Sequence, residues 1–192
     1  RRYQKRGGGA QVMPLESSIV MAPERGRDDY AGLDVKGKIV VALSGAPRFL
    51  QTEERAYYRN GRTKLKAALD RGAVGFVSIG TRTGEKLYPF ANIARQYKSW
   101  GMTWRHPGGK PFMPVPLPSL AFVSVAGASK LLGDKTGAIL DAAETKDGAI
   151  KGFALPLSLK VEMHTEIKTS ESENIVGVLL GSDPKLKDEY VV

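Results

Sequence analysis

The chain of 192 residues carries 29 Lys and Arg against 20 Asp and Glu, a net charge of +9, with two histidines and no cysteine. The missing cysteine excludes a disulfide framework, a thiolate nucleophile and a Cys-ligated zinc site, and no apolar run approaches the roughly 20 residues that span a bilayer. A hydrophobic content of 42% with 22 Gly and 11 Pro fits a globular chain rich in strands and turns, which at this length buries roughly 70% of its unfolded surface without a metal staple.

Arg1, Arg2, Lys5 and Arg6 supply much of the charge excess and are followed by Gly7, Gly8 and Gly9, so residues 1–16 read as a flexible basic arm and lead-in. Lys38 to Leu43 is a short β-branched run between Gly37 and the breaker group Ser44 to Pro47, the mark of a buried strand, and Val74 to Ile79 is a second of the same type. Between them Thr52, followed by Glu53 and Glu54, predicts a helix start and Gly61 an interruption. Leu65, Ala68 and Leu69 then recur at helical spacing until Gly72 ends the pattern. Strand, helix, strand makes one crossover unit with parallel strands.

From Gly80 to Pro118 the periodicity fades, and Pro89, Pro107, Pro111, Pro114, Pro116 and Pro118 predict a long ordered loop or lid. Strand character returns at Pro118 to Val123. Ser124 is placed to cap a short helix through Leu132 that Gly133 closes, and Thr136 to Lys146 suits a second helix. Beyond it, Ser158 to Lys168 and Asn174 to Leu180 read as an antiparallel pair across the polar turn Ser170 to Glu173. Gly181 to Pro184 make a further turn, and Glu189 to Val192 read as the start of another strand, the opening of a further domain. A boundary near residue 160 follows from this change of style.

The chemistry-bearing residues are sparse. A catalytic zinc needs about three protein ligands on a rigid frame, yet His106 and His164 stand 58 residues apart and neither belongs to a ligand motif. Neither a Gly-x-Ser-x-Gly elbow nor a phosphate-cradling glycine loop is present. The segment Phe90 to Phe112 is different: it holds Arg95, Lys98, Arg105 and Lys110 without one Asp or Glu, together with Tyr97 and both tryptophans, Trp100 and Trp104. Arg95, Lys98, Trp100, Trp104 and Arg105 are therefore the candidate partner or substrate contacts, since Trp, Tyr and Arg anchor interfaces. The competing reading buries Trp100 and Trp104 to pin a long loop.

The group Asp28 to Val41 (Asp-Asp-Tyr-Ala-Gly-Leu-Asp-Val-Lys-Gly-Lys-Ile-Val-Val) resembles a protease-associated domain, as do Lys64 to Ile79 with their Gly-Ala-Val-Gly strand and the Pro-Ser-Leu strand around Leu120. Ser172 to Gly177, Gly181 to Pro184 and Asp188 to Val192 are similar to the entry into the catalytic domain of the family-28 zinc aminopeptidases. Glu16, Ser17 and Ser18 depart from that pattern, standing where relatives carry an aromatic-glycine strand.

The resemblance implies an α/β fold with a small, partly barrel-like β-sheet and flanking helices. It divides the chain into the arm at 1–16, a protease-associated domain at 17–160 and the start of the peptidase domain, a β-hairpin and truncated strand, at 161–192. It further implies a non-catalytic role: gating substrate access and contacting peptide or protein substrate beside the chain's own peptidase domain. The two zinc ions would be held by that further domain, with no cofactor in this chain, and the parent enzyme would work outside the cytoplasm, in the periplasm or secreted. On this reading there is no membrane span and nucleic acid is not an expected partner. The alternative is a free-standing module that binds a protein or polyanion through the basic aromatic loop 90–112.

Overall fold

β-Branched residues flanked by turn formers build the centre of the fold. A computed structural model describes residues 12–15, 28–145, 150–162, 166–173, 175–177, 179 and 182–183. Residues 1–11 and 16 of the expected arm and lead-in, His164 and the strand expected at Glu189 to Val192 lie outside the described residues, whereas residues 12–15, read as part of that flexible lead-in, form a strand because their apolar run can pair with the neighbouring strand Ile39–Leu43. Four strands, β1 (Val12–Leu15), β2 (Ile39–Leu43), β3 (Gly75–Ile79) and β4 (Ser119–Val123), form one parallel sheet in the order β1-β2-β3-β4. The three five-residue strands match the expected runs. Among the described residues the sheet is open, with β1 and β4 outermost, so the expected partly barrel-like sheet is replaced by an open parallel layer, because no strand pairs β4 back to β1.

Parallel sheets need cover on both faces, and β2 shows how it is supplied. All five of its residues are buried. Val40 and Ala42 join Tyr30, Val35, Ala67, Ala68, Phe76 and Leu117 on one face. Ile39, Val41 and Leu43 join Val77, Ile79, Leu132, Ile139, Leu140 and Leu155 on the other. Each large buried side chain contributes about 1.5–3 kcal/mol relative to exposure.

The first face is covered by the crossover between β2 and β3, which breaks in two as Gly61 predicts: α1 (Thr52–Tyr58) and α2 (Gly61–Asp70). Asn60 accepts a hydrogen bond from Arg62 N at 2.9 Å, capping α2, and Gly72 at φ +80° ends the connection. The helix buries Lys64, Ala67 and Ala68, one position away from the expected stripe. The two alanines let the helix approach the sheet, while Leu65 and Leu69 pack half-buried at its sides.

The stretch from Gly80 to Pro118, expected as a long ordered loop or lid, contains two helices, α3 (Arg82–Leu87) and α4 (Phe90–Lys98). Pro89 does not forbid α4 because it sits at the N-cap, ahead of the first helical turn, where a missing N–H breaks no intrahelical bond. Thr81 caps α3 by accepting from Gly84 N at 3.2 Å. Phe90 stacks on Phe122 of β4 with centroids 6.3 Å apart. The other face is covered by α5 (Ser129–Leu132) and α6 (Thr136–Glu144), separated by a short 3₁₀ turn, Gly133–Lys135. Ser124 accepts from Gly127 N at 3.0 Å at the start of this return.

A polar clamp ties α3 to the end of α6. Glu144 accepts from Thr83 N at 2.9 Å and pairs with Arg48 at 2.9 Å, while Arg82 pairs with Asp141. Burial pushes the Glu144 carboxyl up, but the Thr83 hydrogen bonds, the Arg48 charge and the Arg82 backbone N–H together hold it below the ordinary carboxylate value. Glu85 of α3 reaches the opposite way and accepts from Val125 N at 2.6 Å.

The turns before β2 are made by the segment that carries the family resemblance. Asp28 accepts from Tyr30 N at 2.9 Å and pairs with Arg71 at 3.2 Å, and the Arg71 guanidinium lies 4.3 Å from the Tyr30 ring centroid. Gly37, at φ +75°, donates to Gly72 O at 2.8 Å, and Val74 N donates to Lys38 O at 2.7 Å. These bonds fix where β2 and β3 begin.

The chain divides into two compact units, Gly7–Val161 on one side and Arg1–Arg6 with Glu162–Val192 on the other. In the second, the described residues adopt no strand, so the hairpin expected over Ser158 to Leu180 is not formed among them. Ile175 and Leu179 are 98% and 99% exposed. Alternation makes a strand only where one face has something to cover it, and a lone two-stranded pair is marginal in water. Lys168 pairs with Glu166 at 3.2 Å in this unit.

Candidate functional site

The segment after α4 organises itself by local chemistry. Pro107 and Gly108 occupy the centre of a turn closed by a 2.8 Å bond from Gly109 N to His106 O. His106 N donates to Lys110 O at 2.9 Å and Phe112 N to Trp104 O at 2.8 Å, with an antiparallel bridge between Arg105 and Pro111. The Thr103 hydroxyl adds a 2.9 Å bond to Phe112 O. The result is a miniature hairpin over 103–112.

Side chains two apart on a strand share a face, so Trp104 and His106 stand side by side and meet Phe112 from the other arm. Their ring centroids lie 5.8 Å (Trp104 to His106), 4.6 Å (Trp104 to Phe112) and 5.7 Å (His106 to Phe112) apart. Such pairs are worth about 0.5–1.5 kcal/mol each beyond their area. His106 is therefore part of an aromatic cluster. Among the described residues no three His, Asp or Glu side chains converge as metal ligands.

The tryptophans do not pin the loop by burial. Trp100 is 63% and Trp104 65% exposed, and Met102 between them is almost wholly exposed. Tyr97, Leu87 and Met113 also present large apolar surface to solvent. Of the basic candidates, Arg95 bonds to Asn92 along α4, and Lys98 ends that helix, where a cation suits the dipole. Both are exposed, as is Arg105 on the hairpin. Among the described residues neither Lys98 nor Arg105 engages a carboxylate. The structure thus places all five candidates, Arg95, Lys98, Trp100, Trp104 and Arg105, at the surface of one continuous segment, and joins Trp104 alone to the hairpin's ring cluster.

A concave feature lies between α2, α4 and the sheet. It is a cavity of about 270 Å³ lined by residues that include Lys64 and Leu65 of α2, Tyr97 of α4, and Ser78 and Phe122 of the sheet. Lys64 is 3% exposed and donates to Leu43 O at 2.6 Å, at the end of β2. Burial lowers its ammonium pKa to about 7 against the opposing pull of the Asp29 carboxylate. Inspection of the sequence missed this site. The available signal was a lysine three and four residues before Ala67 and Ala68, on the face of α2 that small residues press against the sheet.

No helix among the described residues is long and apolar enough to cross a membrane. Comparison with protein-family models, with curated proteins and with solved structures found no match to this chain.

Proposed function

We propose that this chain is a non-catalytic, protein-contacting domain of the protease-associated type, serving a zinc-dependent peptidase. One observation carries the contact role: a self-supported hairpin and the helix before it hold Trp100, Met102 and Trp104 out of the core beside basic side chains with no acidic neighbour in sequence. Exposed apolar surface of this kind marks interaction sites on water-facing proteins, and desolvated Trp and Arg are the residues that carry binding energy. Trp100 and Trp104 would cover apolar side chains of a peptide or protein, while Arg95, Lys98 and Arg105 would meet its carboxylates. The mixed α/β class supports the resemblance to protease-associated domains, while the open sheet departs from the partly barrel-like form that the resemblance implies.

On this reading peptide hydrolysis belongs to a peptidase domain outside the described residues, which would hold two zinc ions that activate water. Gating of substrate access, extracytoplasmic location and the zinc peptidase itself all follow from the resemblance and form part of the proposal.

The test uses the two tryptophans as reporters. Titration of the chain with acidic, aromatic-containing peptides should change the tryptophan emission saturably, and calorimetric titration of the Trp100→Ala, Trp104→Ala double variant, which has no tryptophan left to report, should show binding abolished. The same chain supplied with zinc should not turn over aminoacyl anilides. Aminopeptidase turnover with stoichiometric zinc would overturn the accessory role. Saturable binding of heparin or duplex DNA that weakens steeply with salt and is lost on Arg95→Ala, Lys98→Ala and Arg105→Ala would favour the polyanion module instead.

A further inference from the structure

We infer that the cavity between α2, α4 and the sheet is a binding site for a small apolar aldehyde, captured by the Lys64 amine as an imine. The reasoning begins with volume. At about 270 Å³ the cavity is just smaller than ligand pockets of roughly 300–1,000 Å³, which excludes a nucleotide-sized cofactor. Leu65, Phe76 and Phe122 give it apolar walls, and Ser44, Ser78 and Ser119 add hydroxyls. A small apolar body with one polar, reactive end fits that mixture.

Lys64 supplies the reactive partner. Its side chain is almost fully buried, and one hydrogen bond, to Leu43 O, is made by a group that has two or three N–H donors. The charged and titratable groups facing it are Asp29, whose carboxylate favours the ammonium, and Arg59 and Tyr97, which line the same cavity. Burial outweighs Asp29 and brings the pKa down to about 7, so far more of Lys64 is the neutral nucleophile at neutral pH than of an exposed lysine. An ordinary lysine near 10.4 is neutral about once in several thousand molecules. Desolvation in an apolar pocket is the established way to activate a lysine towards carbonyl groups.

The step needs no oxidant or reductant. The nitrogen lone pair forms a bond to the carbonyl carbon as the π pair moves to oxygen, and one N–H proton passes to that oxygen, giving a carbinolamine. The carbon–oxygen bond then breaks, and the hydroxyl leaves with a second proton as water while the C=N bond forms. One amine and one aldehyde yield one imine and one water. Proton uptake from solvent gives the iminium, whose remaining N–H can keep the bond to Leu43 O.

The experiment treats the whole chain with isovaleraldehyde and sodium cyanoborohydride, which reduces the iminium to a stable amine, and locates the mass increment by peptide mapping. Per-residue labelling of Lys64 should be at least tenfold faster than that of the exposed Lys86 and Lys98, rising with pH and levelling off above about 7. Lys64→Arg should lose that adduct. Ser119→Trp, at an exposed position lining the cavity, should slow labelling at least tenfold while the circular dichroism stays native. Labelling of Lys64 no faster than Lys86, or at the wild-type rate in folded Ser119→Trp, would overturn the inference. Neither result bears on the peptide titration of the hairpin surface, so the two proposals stand or fall separately.

Discussion

Replacing Lys64 by Met should reshape the stability of the protein as a function of pH. In the unfolded chain the amine titrates near its ordinary value of 10.5, and in the folded protein near 7. Between those values the unfolded state holds a proton that the folded state has lost, so stability rises with pH across that window. Below pH 7 both states carry the proton and the full cost of burying the charge is present. At about 1.4 kcal/mol for each tenfold change in the protonation equilibrium, the increment from pH 7 to 10.5 is on the order of 5 kcal/mol. Met fills a similar volume without titrating, and it forfeits the bond to Leu43 O, worth about 1 kcal/mol at every pH. Urea unfolding of wild type and Lys64→Met at pH 6, 8 and 10 isolates the group, because other titrations cancel in the difference. The variant should be the more stable at pH 6 and the less stable at pH 10. A difference that stays flat from pH 6 to 10 would refute the claim that Lys64 is buried at the cost of its charge.

Three further outcomes follow from the geometry. A Cβ at Gly75 would lie 2.6 Å from Leu120 Cδ1 and 3.3 Å from Ile39 Cγ1, so Gly75→Ala should cost about 1–3 kcal/mol in urea unfolding, and the cost should shrink in a Leu120→Ala background. Glu144 has a folded pKa below its unfolded one, so it stabilises above the ordinary carboxylate range and that contribution fades as pH falls through the folded value; thermal melts between pH 3 and 6 should lose less on acidification in Glu144→Gln than in wild type. Trp104→Ala removes the ring packed against both His106 and Phe112 but no core contact, so it should cost at most about 3 kcal/mol in global stability while weakening peptide binding in the fluorescence titration.

The strands were legible because their signal is purely local. Ile39 to Leu43 is apolar throughout and Gly75 to Ile79 is apolar but for Ser78, and such nearly continuous runs suit a sheet covered on both faces. The break at Gly61 and the ends at Gly72 and Gly133 were legible because glycine marks changes of backbone direction. Pro89 misled because a proline that starts a helix and one that prevents it look the same without the preceding turn. Tertiary packing hid Lys64: a charged residue on an amphipathic helix reads as solvated until the neighbouring alanines are seen to draw the helix onto the sheet. The candidate residues from Arg95 to Arg105 were found by their composition, whereas the exposed setting of Trp104 and Arg105 depended on a hairpin that pairs Trp104 with Phe112 across a turn.

Because spatial order in the sheet repeats sequence order, assembly can follow synthesis. Each strand pairs with the one made just before it, so β2 and β3 can dock through α2 while the residues of β4 are still emerging, and no strand has to be inserted between two that are already paired. Such stepwise growth keeps the separation between contacting residues modest and favours faster folding than interleaved parallel topologies allow. Pulse-labelled hydrogen exchange should accordingly find the β2 and β3 amides protected no later than those of β4, and a mutation in α6 should slow the last stage of folding without delaying the first.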